Sequence, residues 1–357
     1  MSLPTTISQR IETIKDPILN LSLSEMNCKY EVQCANDQIT VLINTGFPKQ
    51  YLEDQIIPTL QSILTKEFPH YTTTISCQEF IKAHKTQMVG KGLRGVKNTI
   101  AIASGKGGVG KSTVTVNLAT ALAKLGARVG ILDADIYGPS MPLMLGQSEE
   151  VQIQDNFYLP VHAHGVQAMS IGYLTDSNQA LIWRGPMLAK SLIQMLDITL
   201  WDNLDYLFID LPPGTGDIQL TLVQKIPLTA AIVVTTPQNV ATLDAQKAIT
   251  MFSKTNIDVL GVIENMSIHQ CSACGHAEPI FGEGGAEALC KDYNCSLLGQ
   301  LPLASQVRED CDAGIPTATL TSNKLSNAFR DTAMRAVIEL SKKPINYADK
   351  FPNIVVE

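Results

Sequence analysis

The chain is short of basic charge: 27 lysines and arginines against 34 aspartates and glutamates leave a formal net charge of -7. A general nucleic-acid binder needs a basic surface to meet the phosphate backbone, so that class is set aside. Long apolar runs are also missing, and nothing approaches the roughly 20 consecutive apolar residues that span a bilayer. The opening residues 1–16 show no basic region followed by an apolar one, so no secretory leader is expected. A soluble, cytoplasmic protein without membrane or nucleic-acid partners is the expectation. Charged residues make up only 17% and hydrophobic ones 45%, which excludes a disordered chain. Export being unexpected, the 8 cysteines read as thiols or metal ligands and not as a disulfide framework. Cys28, Cys34, Cys77 and Cys311 are scattered and read as ordinary core or surface residues.

A length of 357 residues suits one small and one large domain. Residues 1–83 form a first block, with helical spacing at 10–14 and 52–65 and a β-branched strand at 38–43. Residues 84–97 carry Lys85, Lys91, Arg94 and Lys97 among glycines, and read as a solvated linker. From Asn98 to residue 345, short apolar runs at 99–103, 128–132, 206–209, 230–235 and 259–263 alternate with helical segments such as 112–124 and 241–253. That alternation predicts an α/β fold: a doubly wound, mainly parallel sheet that binds ligands beyond the carboxyl ends of its strands. Residues 346–357 read as a loosely packed tail.

The most specific local signal is Gly105-Lys106-Gly107-Gly108-Val109-Gly110-Lys111-Ser112-Thr113, which fits G-x-x-x-x-G-K-[ST] between a predicted strand and a predicted helix. Its glycines let backbone N–H groups turn toward a phosphate, and the helix N-terminus favours the same negative charge. Lys111 is expected along the β- and γ-phosphates of ATP, with the Ser112 hydroxyl on Mg²⁺. Lys106 is not required by such a loop, and reads as a second phosphate lysine supplied across a dimer. One predicted strand ends in Asp133-Ala-Asp135, bringing a carboxylate to where water attacks the γ-phosphate. Another ends in Asp210-Leu-Pro-Pro-Gly214, placing Asp210 to hold Mg²⁺ through water and the Gly214 backbone to reach the γ-phosphate. Either aspartate could simply cap a following helix, but two of them on strands beside a phosphate loop make that the weaker reading.

Cys271-Ser-Ala-Cys274 brings two thiolates within reach of one metal or cluster, but two ligands cannot close a tetrahedral site. Two completions are open. Cys290 and Cys295 extend the pattern to C-x2-C-x15-C-x4-C, which resembles a zinc ribbon, with His269 and His276 nearby. Alternatively a twofold dimer supplies two C-x2-C pairs to a bridging [4Fe–4S] cluster. Residues 282–289 read as a helix start that would carry Cys290 inward, which favours the dimer. His162 and His164 have no partner that the sequence identifies.

Taken together, these residues resemble the deviant-Walker ATPases, the class of MinD, ParA and the nitrogenase iron protein. Within it they are most similar to the Mrp/ApbC family of iron–sulfur cluster carriers. The matching text includes the loop at 105–113, Leu132-Asp-Ala-Asp-Ile-Tyr-Gly-Pro-Ser140, Trp183-Arg-Gly-Pro-Met187, DYLFIDLPPGTGD at 205–217, GVIENMS at 261–267 and the pair Cys271 and Cys274. The resemblance implies a P-loop ATPase domain, a trans-acting role for Lys106, switch I at Asp135, switch II at 210–214 and an adenine contact at Asn265. It also implies a homodimer that passes its cluster to apoprotein acceptors. No N-K-x-D guanine signature is present, since Asn323-Lys324-Leu325-Ser326 lacks the aspartate. The first block resembles a small α/β iron–sulfur-assembly domain through Asp16-Pro17-Ile18. It reads Thr45-Gly-Phe-Pro48 where related domains carry a cysteine, so partner recognition is its expected role. A positioning ATPase of the MinD or ParA kind, or an ATPase with a structural zinc site, are the alternative readings. Slow hydrolysis is expected, as no strong general base is evident.

Overall fold

The computed structural model describes residues 2–88, 90–136, 138–147, 150–174, 185–271, 273–321 and 323–346, without side chains at 185–188. Tyr137, the Trp183-to-Met187 motif (apart from backbone at its end) and the tail 347–357 lie outside the described residues.

The first block is a three-stranded sheet covered by two helices. Strands Lys29–Ala35 and Gln38–Thr45 pair antiparallel across Asn36 and Asp37, whose φ values of 48° and 56° give the left-handed turn that hairpins favour. Strand Thr72–Glu79 then pairs parallel to the second, reached through helix Gln50–Glu67. The inward residues Ile39, Val41 and Ile43 meet Ile7 and Ile11 of helix Leu3–Thr13 and Ile56, Leu60 and Leu64 of the second helix. The alternation of apolar and polar residues along Gln38–Thr45 thus buries one sheet face.

Among the described residues the large sheet has eight strands. Their order is Ser296–Gln300, Val259–Glu264, Ala230–Thr235, Val96–Ser104, Leu204–Asp210, Val129–Asp133, Val166–Ser170 and Val161–Ala163. Only the last pair is antiparallel; the other neighbours run parallel. Successive residues of one strand serve opposite faces. Ile100 and Ile102 belong to one buried cluster, and Ala101 and Ala103 to the other. Burial on both faces explains why the sequence shows continuous apolar runs here and alternation in the first block. This is the predicted P-loop NTPase fold, a doubly wound and mainly parallel α/β sheet preceded by a small α/β unit.

Residues 84–97 differ from the solvated linker that their composition suggests. His84 is buried, and its Nδ1 lies 2.9 Å from Asn98 Oδ1. Gln87 donates from Nε2 to the carbonyls of Val223 and Ile226, and its Oε1 accepts from the Leu228 N–H. Val96 and Lys97 already belong to the central strand. Backbone groups make much of this packing, for example Lys85 N–H to the Pro344 carbonyl, so charge and glycine content gave no sign of it. The first block also rests on the C-terminal helix Lys324–Ser341. Asn27 Nδ2 donates to the Ser341 carbonyl at 2.7 Å, and the Arg330 guanidinium lies over the Tyr51 ring.

Candidate functional site

The central strand Val96–Ser104 runs into helix Lys111–Lys124 through the glycine-rich turn. Two of its glycines are required by their surroundings. A Cβ on Gly105 would collide with the backbone carbonyl of Asp244, because helix Asn239–Lys254 crosses directly beside it. Gly110 has a φ of +80°, and its Cβ would meet the Asn265 amide nitrogen. Gly107 and Gly108 form the exposed tip, while Val109 is buried. Lys106 is half-buried, and its carbonyl accepts from Ser104 Oγ at 2.9 Å. Thr113 lies in the first helical turn, where its carbonyl accepts from Asn117 Nδ2.

The predicted phosphate and Mg²⁺ residues converge on one buried carboxylate. Asp210 ends its strand with no exposed surface. Lys111 Nζ lies 2.8 Å from its Oδ1, which also accepts from Thr115 Oγ1 at 2.7 Å. Ser112 Oγ donates to Oδ2 at 2.5 Å. Lys111, only 5% exposed, therefore compensates a charge that burial would otherwise make costly. Gly214, with a φ of +94°, donates its N–H to the Ser104 carbonyl at 3.0 Å, folding the 210–214 turn onto the end of the central strand.

The two aspartates of the Asp133-Ala-Asp135 run part company. Asp133 stands opposite Asp210 in the strand register and is fully buried. Its Oδ2 accepts from the backbone N–H groups of Ser140 and Met141 and from Ser170 Oγ, at 3.0, 3.2 and 3.0 Å. Burial, and then the charge of Asp210, push its pKa upward, while those donors and Lys111 pull the other way. Asp133 is thus the anchor of the segment that follows, a role the sequence reading did not separate from that of Asp135. The half-buried Asp135 is the one left at the surface of the site. The spacing of the pair could not distinguish them, because the anchoring groups come from residues 140, 141 and 170.

Asn265 follows strand Val259–Glu264 and is buried. Its Nδ2 donates to the Val109 carbonyl at 2.9 Å, so it braces the loop directly and retains its Oδ1 for another contact. The Asn323 run belongs elsewhere: it is a capping box at the start of the C-terminal helix.

The cysteine pair sits on a small hairpin, His269–Gln270 against Ala277–Glu278. The turn is closed by Gly275 N–H to the Cys271 carbonyl and by Cys271 N–H to the His276 carbonyl, both 2.8 Å. Cys271 is half-exposed and Cys274 exposed. The Cys271 thiol is held below its ordinary pKa by the Cys274 N–H first, then by the Ala273 N–H and the Cys274 thiol. Donors aimed at one sulfur favour its thiolate, the form that binds metal. Among the described residues, no third histidine, cysteine or carboxylate joins these two in a metal-binding group. The four-cysteine zinc arrangement is therefore not assembled there. Cys290 is buried on helix Gly285–Tyr293, and its carbonyl accepts from the Cys295 N–H at 3.0 Å. His269 Nδ1 lies 3.2 Å from the Leu303 carbonyl, and His164 Nε2 lies 2.8 Å from that of Gly314. No described helix is long and apolar enough to cross a membrane.

This geometry can be set beside known proteins. The family model described as ParA, NUBPL iron-transfer P-loop NTPase, matches residues 95–338. A protein named iron-sulfur cluster carrier protein from Haemophilus influenzae is 47% identical over 337 residues, which is 94% of this chain and 91% of that one. The protein of that name from Escherichia coli is 56% identical over 252 residues, 70% of this chain and 68% of that one. Among solved structures, a nucleotide-binding protein from Archaeoglobus fulgidus in complex with ADP is 40% identical. It superposes with a TM-score of 0.56 and covers 62% of this chain and 87% of that chain. The septum site-determining protein MinD from Pyrococcus horikoshii, complexed with Mg-ADP, is 25% identical with a TM-score of 0.51, over 66% and 94% of the two chains.

Proposed function

Because the chain belongs to the Mrp/ApbC family of iron–sulfur cluster carrier P-loop ATPases, we propose that it carries a [4Fe–4S] cluster and passes it to apoproteins, coupled to slow ATP hydrolysis. The observation that carries this reading is the solvent-facing pair Cys271 and Cys274 on the hairpin of the same chain as the phosphate loop, with no third ligand among the described residues. Two such pairs across a twofold axis provide four soft sulfur ligands, the donor set of a cubane cluster. The cluster is cargo, and its half-exposed ligands suit a group that must leave.

The nucleotide roles belong to the same proposal. Residues 105–113 cradle the phosphates of ATP, with Lys111 turning from Asp210 toward the β- and γ-phosphates. The hydroxyl of Ser112 and the carboxylate of Asp210, the latter through water, are hard oxygen donors that fit Mg²⁺. Mg²⁺, when bound, neutralises phosphate charge. Lys106 acts on the nucleotide of the partner in a homodimer, Asp135 orients water, the Gly214 N–H leaves the Ser104 carbonyl for the γ-phosphate, and Asn265 Oδ1 faces the adenine. Residues 98–345 are the ATPase domain, joined by 84–97 to a first domain, 1–83, that recognises the acceptor. The protein works in the cytoplasm without nucleic acid or membrane.

Anaerobic reconstitution of the chain beside a Cys271→Ser/Cys274→Ser variant tests the cargo. Absorbance near ~400 nm, with about four iron per two chains in a dimer and neither in the variant, is the expected result. A colourless protein retaining one zinc per chain under air would overturn it.

A further inference from the structure

Helix Gly285–Tyr293 ends on a left-handed residue, Asn294, whose φ is 50°. The N–H groups of Asn294 and Cys295 both donate to the Cys290 carbonyl, the second at 3.0 Å. An ending of this kind folds the chain back, so that the residue after the left-handed one packs against the helical residue five positions earlier. Cysteines occupy both of those positions. Standard bond lengths on either side of the 3.0 Å hydrogen bond hold the two Cα atoms within about 7 Å. Cysteines farther apart than that cannot be bridged, and these two are not. Cys290 belongs to the buried cluster that contains Val262 and Leu289, and Cys295 packs against the same cluster. The neighbouring Cys295 thiol, ahead of burial, pushes the Cys290 thiol upward, and the same neighbour holds the Cys295 thiol below its ordinary value.

Neither thiol lies in the phosphate site or on the cysteine hairpin, and the two differ in access. Cys290 is 7% exposed, whereas Cys295 is half-buried and open to solvent on one side. A reagent from solvent therefore meets Cys295 first. We propose that Cys290 and Cys295 are a redox-active pair that closes to a reversible disulfide, with Cys295 as the attacking thiol and Cys290 as the resolving one. The oxidant is a small disulfide such as oxidised glutathione. The Cys295 thiolate attacks one of its sulfurs, forming a mixed disulfide and releasing one glutathione. The Cys290 thiolate then bonds to Cys295 Sγ, breaks the mixed disulfide and releases the second glutathione. Two protein thiols are oxidised, one small disulfide is reduced, and the two thiol protons leave on the two glutathiones. The bridge fastens the end of the helix to the residue before strand Ser296–Gln300. The start of the same helix holds Glu264 through the Ala286 N–H at 3.0 Å, and Glu264 adjoins Asn265, the brace of the phosphate loop. This chemistry goes beyond nucleotide and cluster binding, and its test needs neither.

The full chain, without cluster or nucleotide, is incubated with oxidised glutathione, its remaining thiols are alkylated, and its peptides are mapped by mass spectrometry. Both Cys290 and Cys295 are expected to lose alkylation together, to appear as one linked peptide and to retain no glutathione. Dithiothreitol is expected to restore both thiols. Cys290→Ala, which lacks the resolving thiol, is expected to keep one glutathione on Cys295. The proposal is overturned if the wild-type chain keeps both thiols open to alkylation, if either cysteine links to a different one, or if glutathione stays on Cys295 in the wild type as it does in the variant. A bridge that dithiothreitol does not reopen would also overturn it.

Discussion

The phosphate loop and the cysteine hairpin share one domain and are built in opposite ways. Around Asp210 every group is held at least once, and all but the half-buried Ser112 are buried: Lys111, Ser112 and Thr115 on the carboxylate, and Asn265 on the loop backbone. The hairpin has a two-residue ladder, and its thiols are open to solvent on at least one side. The Asp210 end of the loop region is thus part of the core, and its chemistry cannot be removed without disturbing stability. The hairpin is an appendage, and its chemistry can be removed with the fold left standing. Preorganisation suits a site that must meet the same phosphates each time, and exposure suits a site that must surrender what it holds.

The sharpest test of this contrast is Lys111→Met. It leaves Asp210 buried beside Asp133 without its counter-charge, so unfolding free energy is expected to fall by about 3–5 kcal/mol. ATP turnover is expected to fall by about a hundredfold or more. Denaturant titration and steady-state hydrolysis measure the two, and a fully stable variant would show that Asp210 does not rely on the lysine. The junction at His84 lies between the extremes. Burial, opposed by the hydrogen bond to Asn98, lowers the pKa of this ring below its ordinary value. Its contribution is therefore complete above about pH 6.5 and is lost as pH falls from there through the folded-state pKa, where the unfolded chain takes up a proton that the folded one refuses. Melting temperatures from pH 7 to 5 are expected to fall more steeply for the wild type than for His84→Gln. The smallest effect on stability belongs to Cys271→Ser/Cys274→Ser, expected within about 0.5 kcal/mol of wild type, although it removes the whole chromophore. A large destabilisation there would mean that the hairpin is more deeply tied to the domain than its exposure indicates.

The large domain was legible because its signals are local. Continuous apolar runs mark the buried strands, and the loop motif is contiguous from Gly105 to Thr113. Lys106 stood out within that motif, and the family resemblance extended the reading to Asn265. What escaped depends on groups far apart in the chain. Strands Lys29–Ala35 and Thr72–Glu79 alternate half-buried and exposed residues at sheet edges, and so carry little apolar signal. The anchoring role of Asp133 needs Ser170, which only the parallel pairing of Val129–Asp133 with Val166–Ser170 brings close. The packing of 84–97 uses backbone groups and one glutamine, whose partners at 223, 226 and 228 no local pattern reveals.

The contact between the first block and the last helix has a consequence for synthesis. Asn27 and Ser341 are 314 positions apart. At a ribosome's pace of about 5–20 residues per second, the docking helix emerges on the order of tens of seconds after the block that it receives. During that interval the first block must keep its sheet together with its own helices alone. The face that will later meet Lys324–Ser341 is meanwhile open to chaperones, to other nascent chains, or to a premature partner. The contact thus acts as a latch: the two segments close on each other only once everything between them has been made.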